Sequence, residues 1–170
     1  MRSLQILPLC LALMNAVAAE KPALPSFEQF RVNETFSGKV APPVLKTLGD
    51  RTFRTRIREA AAKGPNFGGS YTIAQWGCGS TCVSMATIDA TNGTVHHGPF
   101  GILGWGEPMK YEGKYSPYQD RFDPLSFRLD SRLLIVRGCP EDKDCGSYFY
   151  EWTGSQFKLI YKRRAARFSK

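Results

Sequence analysis

The chain has 170 residues, 42% of them hydrophobic and 22% charged, with a formal net charge of +8 at pH 7. That apolar fraction excludes an intrinsically disordered chain, and the length suits a single domain with a real core. Nothing beyond the first residues approaches the roughly 20 consecutive apolar positions that a membrane-spanning helix needs.

The chain opens MRSLQILPLCLALMNAVAAEKP. One cation (Arg2), an apolar stretch from Leu4 to Val17, and small residues at Ala16, Ala18 and Ala19 form the three-part pattern of a secretory signal peptide. Residues 1–19 are read as that signal, and residues 20–170 as one exported domain. Cys10 raises a lipoprotein signal as the alternative. Leu9 precedes it where lipid attachment wants a small residue, and the chain after it is still apolar.

From Lys21 to Val44 the prolines Pro22, Pro25, Pro42 and Pro43 predict an extended opening, with FEQFRV and FSGKV as short edge segments. The best helix signal runs from Arg51 to Lys63. Asp50 stands as its N-cap, Gly64 where a left-handed C-terminal residue belongs, and Pro65 stops it. Phe53, Ile57, Ala60 and Ala61 share one face and predict packing on a sheet, with Arg54 and Arg58 beside them. This helix carries five basic residues and one acid, Glu59.

SYTIAQW and VSMATID then read as strands on either side of the turn WGCGSTC. Asn92-Gly93 predicts a tight type I′ hairpin into the strand TVHHG. The segment from Gly98 to Phe127 is rich in glycine, proline and aromatics (Trp105, Tyr111, Tyr115, Tyr118, Phe122, Phe127), a length of loop that is often functional. SRLLIVRG and GSYFYEW flank a second cysteine turn, and Thr153-Gly154 turns the chain into FKLIYK. The layout of strand, cysteine turn, strand, glycine turn and strand thus occurs twice. It predicts an α+β fold: an antiparallel sheet of two meanders with one N-terminal helix packed on it.

Loss of the signal removes Cys10 and leaves Cys78, Cys82, Cys139 and Cys145, an even number in an exported chain, which predicts disulfides. Pairing within each turn, Cys78–Cys82 and Cys139–Cys145, is the preferred connectivity; a crossed pairing that links the two turns is the alternative. A redox site would want Cys-x-x-Cys at a helix N-terminus, whereas Cys78 and Cys82 are spaced Cys-x-x-x-Cys between strands. Zinc would need all four thiolates. No metal and no cofactor are expected.

The last residues, Lys158 to Lys170, hold six basic side chains and no acid. Read as a basic tail (158–170), they suit an anionic envelope surface. Nucleic acid is not expected as a partner, because no binding motif accompanies the charge.

Together REAAAKGPNFGGSYTIAQWGCGSTC, IDATNGTV, DSRLLIV and CGSYFYEW resemble a family of small, mostly uncharacterised exported bacterial proteins with a GPNF turn, a WGCG-x-x-C turn and a DSRLLIV strand. The resemblance spans about Arg51 to Ile160. It implies a periplasmic or secreted setting and no particular activity.

His96 and His97 are the only histidines. On a strand they point to opposite faces, so they do not readily share a metal. Either could pair with Asp89 across the hairpin, an arrangement suited to acid–base chemistry; this is the enzyme alternative. Asp130 and Arg132 could pair with each other or cap a turn. The leading expectation is a periplasmic binding protein, an inhibitor or immunity protein against an envelope-directed enzyme or toxin. Trp105, Tyr111, Tyr115 and Tyr118 would be its aromatic anchors, and Arg54 and Arg58 its complementary charge. The partner would be a protein of the bacterial envelope. The basic tail on an anionic envelope surface is a further alternative.

Overall fold

The computed structural model describes residues 23–79, 82–98, 103–104, 124–140 and 145–164. A 3-10 turn (Phe27–Phe30) precedes two short helices, α1 (Leu48–Thr52) and α2 (Arg54–Ala61). Eight strands follow: β1 (Tyr71–Gly79), β2 (Cys82–Asp89), β3 (Val95–His97), β4 (Leu103–Gly104), β5 (Leu125–Ser126), β6 (Leu133–Pro140), β7 (Gly146–Trp152) and β8 (Phe157–Arg164). All pairings between them are antiparallel.

The two meanders expected from the sequence are β1–β2–β3 and β6–β7–β8, the second carrying β5 on the far edge of β6. The two-residue strand β4 joins them. Gly104 pairs with Cys82 on one side and Cys139 on the other, so β2 and β6 approach at this end. Further along, each takes a short strand of its own, β3 on β2 and β5 on β6.

Side-chain alternation explains how this sheet buries so much of itself. Ile73 and Met85 of the first meander pack in one cluster with Leu134, Val136, Tyr148, Tyr150 and Trp152 of the second. The odd and even faces of the two meanders therefore meet in a shared core. Tyr71 on β1 packs edge-on against Trp152 at 5.2 Å between ring centroids, bringing the start of β1 to the β7–β8 turn. On the outer face of the first meander, Ala74, Trp76, Ala86 and Ile88 are covered by Ile57 and Ala61 of α2. On the outer face of the second, Leu133, Ile135 and Phe149 are covered by Phe27 and Phe30. Both faces are thus covered, which is why β6 and β7 read as near-continuous apolar runs rather than alternating ones.

The helix differs from its expected form at the N-terminal end. It begins at Leu48, with Thr47 as N-cap and Asp50 at the third helical position. The Asp50 backbone N–H donates to Thr47 Oγ1 at 3.0 Å, and the Thr47 N–H donates to Asp50 Oδ2 at 2.7 Å, a reciprocal capping box. A break at Phe53 separates α1 from α2. The expected apolar face is present: Phe53 stacks on Trp76 at 4.7 Å and Ile57 is fully buried. Burial of such a side chain contributes about 1.5–3 kcal/mol.

Two other expectations are corrected. FEQF is not an edge strand but the 3-10 turn, closed locally by Ser26 and Gln29; Arg31 alone bridges to Ser131. FSGKV forms no strand, and Phe36 instead donates its N–H to the Gly69 carbonyl. The Asn92-Gly93 hairpin is also wider than a two-residue turn. Asp89 donates its N–H to the Thr94 carbonyl, enclosing four residues, because Asp89 folds its own carboxylate into the turn. Gly93 has a φ of +77°, and a side chain there would collide with the Pro42 carbonyl.

Both disulfides pair within their turns, Cys78–Cys82 and Cys139–Cys145. The GPNF motif caps the outer edge of β1: Asn66 Oδ1 accepts the Ile73 N–H at 2.7 Å, and its Nδ2 donates to the Ile73 carbonyl at 3.2 Å. The side-chain amide thereby stands in for a neighbouring strand. The glycines that follow dock on the turn before β6, Gly69 donating its N–H to the Leu129 carbonyl at 2.7 Å. Ser131, the buried second residue of the DSRLLIV motif, donates its hydroxyl to the Phe27 carbonyl at 2.9 Å. Gly68 donates its N–H to the Ser131 carbonyl at 3.1 Å, so two stretches that carry the resemblance form one structural joint.

Candidate functional site

The histidines fall on opposite faces of β3, as their adjacency requires. His96 sits opposite Thr87, on the face of the shared core, and His97 opposite Ala86, on the face covered by the helices. Neither forms the hydrogen bond to Asp89 that the hairpin suggested. The Asp89 carboxylate accepts from the Thr91 N–H, the Thr91 hydroxyl and the Asn92 amide.

His97 pairs instead with Asp50, its Nε2 2.7 Å from Oδ1. The Asp50 side chain is 2% exposed and the His97 side chain 44% exposed. Burial pushes the Asp50 carboxyl up, but the Thr47 N–H and hydroxyl, His97 and the Lys46 N–H outweigh it and hold the group below its usual range. An ionised carboxylate only accepts, so Nε2 carries the proton and donates it. That nitrogen is not available as a base toward the Thr47 hydroxyl, 3.4 Å away. Gly49 makes room for the ring, since a Cβ there would sit 3.3 Å from His97 Cε1. The pair can orient an imidazole and clasp β3 to α1.

His96 packs edge-on against Trp152 at 5.3 Å. Burial lowers its pKa below the usual histidine value, against the opposing pull of Asp89 and the Ser155 backbone. The ring lies partly buried beside the core.

A different feature gathers charge. Arg51, Arg54 and Arg58 are all exposed and follow one another at three- and four-residue spacing along α1 and α2. Glu59, the acid of this segment, lies 3.5 Å from Arg56. Arg54 reaches only the Arg51 carbonyl, at 3.1 Å, and among the described residues no carboxylate pairs with Arg51, Arg54 or Arg58. Beside them Leu48 is 75% exposed. Sequence reasoning named Arg54 and Arg58 and missed Leu48, because it began the helix one turn too late. The Thr47-x-x-Asp50 capping pattern was the signal that could have found it.

The other expected site residues divide. Trp105, Tyr111, Tyr115, Tyr118 and Phe122 lie outside the described residues. Phe127 packs on the core, edge-on to Phe67 at 6.2 Å. Asp130 and Arg132 do not pair with each other. Asp130 is held by Arg128 through two contacts of 2.8 and 2.9 Å, which keep its carboxyl below the usual range, and Arg132 pairs with Glu151 at 3.1 Å. Arg128 also reaches Glu28 at 2.9 Å, fastening the N-terminal segment. Of the basic run, Lys158, Lys162, Arg163 and Arg164 belong to β8, with Lys162 over the Tyr148 ring at 4.8 Å; residues 165–170 lie outside the described residues.

All four cysteines of the two turns are consumed by disulfides, and among the described residues no cluster of three or more His, Cys, Asp or Glu side chains could hold a metal. Among the described residues no helix is long and apolar enough to cross a membrane. No family model matches the chain, and neither curated proteins nor solved structures yield a similar one.

Proposed function

We propose that the chain is an exported periplasmic binding protein, and that it acts as an inhibitor or immunity factor on an envelope-directed enzyme or toxin. The observation that carries this reading is the row of exposed arginines Arg51, Arg54 and Arg58, unneutralised by carboxylates among the described residues. Charge left uncompensated on a rigid scaffold favours encounter with an acidic partner surface and raises the association rate. The signal-peptide pattern of residues 1–19 and the two disulfides support an extracytoplasmic setting.

The test is affinity capture of the mature, oxidised protein from a bacterial envelope extract, washed at low and then high salt. A stoichiometric protein that survives the wash identifies the target, because a desolvated interface resists screening. Release of only lipid or polysaccharide by salt would overturn the reading.

A further inference from the structure

The arginine row has an apolar neighbour that the charge alone does not explain. Leu48 is 75% exposed and stands three residues before Arg51, one turn away on α1. Arginines are enriched at protein interfaces, and an exposed aliphatic side chain beside them adds a small apolar contact to the charge. The patch is also held rigid from beneath. The capping box fixes the first turn, the His97–Asp50 contact ties it to β3, and the Phe53–Trp76 stack and buried Ile57 fix the second helix. A surface whose backbone is already ordered loses little conformational freedom on binding.

We propose that Leu48, Arg51, Arg54 and Arg58 form a docking face for an acidic protein segment that presents carboxylates to the arginines and one large apolar residue to Leu48. This rests on the reading of the chain as a binding protein and names the partner's chemistry. Charge complementarity selects the acids. The exposed leucine selects a protein segment over a purely ionic surface, because a leucine contributes nothing to a surface of charges alone.

The test uses the mature protein and a synthetic amphipathic helical peptide with glutamates repeating every three to four positions around a central leucine. Backbone amide shifts should move at residues 48–58, and the double variant Arg54→Glu/Arg58→Glu should abolish binding. Leu48→Ser should weaken binding about tenfold while leaving its salt dependence unchanged, since an apolar contact is not screened. All three positions are exposed, so the melting temperature of each variant should match wild type, which separates loss of binding from loss of fold.

Equal binding of the glutamine-for-glutamate peptide, or shifts confined to other residues, would overturn the proposal. So would engagement of the same residues by phosphatidylglycerol vesicles with no binding of the peptide; that outcome would make the face a membrane contact. Envelope capture unchanged by all three substitutions would sink this inference and leave the binding-protein reading standing. Failure of capture by the wild-type protein would instead count against that reading.

Discussion

His97 Nε2 and Asp50 Oδ1 lie 2.7 Å apart, joining the last residue of β3 to the first turn of α1 across 47 positions of sequence. Asp50 closes the capping box and accepts the histidine with the same carboxylate, so one buried charge holds both the helix start and its seat on the sheet. Replacing it by asparagine should cost about 2 kcal/mol, since charge-assisted bonds are lost from a buried site. His97→Ala takes the histidine donor from the buried Oδ1 but leaves both backbone donors on Oδ2, so it should cost about 1–2 kcal/mol. Denaturant melts of the two single variants and the double variant measure the coupling directly.

The same carboxylate sets an acid limb. Its folded pKa is below the unfolded value, so its contribution is complete above the unfolded range near 3.9 and disappears as pH falls through the folded pKa. Stability measured by urea melts should therefore fall more steeply below about pH 4 in wild type than in Asp50→Asn. Parallel slopes would mean that Asp50 is not the titrating group.

His96 sets a second pH-dependent contribution. Burial against Trp152 lowers its pKa, so its contribution is complete above the ordinary value near 6.5 and is lost as pH falls toward the folded pKa. With two histidines in the chain, a carbon-detected NMR titration resolves each ring. The His96 resonance should titrate with its midpoint below that ordinary value.

Asn66→Ala removes the side-chain amide that pairs with both the N–H and the carbonyl of Ile73, leaving two backbone groups of β1 without partners. The expected loss is about 2–3 kcal/mol, with faster amide exchange at Ile73 in particular. Asn66→Asp keeps the acceptor and loses the donor, so it should fall between wild type and alanine.

Each disulfide closes a very short loop, with sequence separations of 4 and 6. In the chain-entropy picture each contributes about 2 kcal/mol. Reduction should therefore lower the melting temperature by several degrees and leave the fold assembled. Complete unfolding on reduction would show that the shared core is weaker than its burial implies.

Local chemistry made much of this architecture legible. The alternating and continuous apolar runs located the six longer strands of the two meanders. The Phe53–Ile57 stripe identified the buried side of the helix, Gly64 and Pro65 its end, and cysteine spacing the two staples. These features depend on neighbours within a few residues. What escaped depends on distant partners or on competition between local options. Thr47 and Asp50 are equally good caps in isolation, and only the docked helix places the Asp50 carboxylate under His97. Asp89 looked free to meet a histidine until its own turn claimed it. The Asn66 side chain counts as a turn residue in sequence, whereas in the fold it is the missing neighbour of a strand. The sequence by itself determined the elements, the staples and the charge of the helix. Tertiary structure decided which carboxylate meets which histidine and which side chain borders the edge of β1, because those outcomes depend on the direction in which packed elements approach one another.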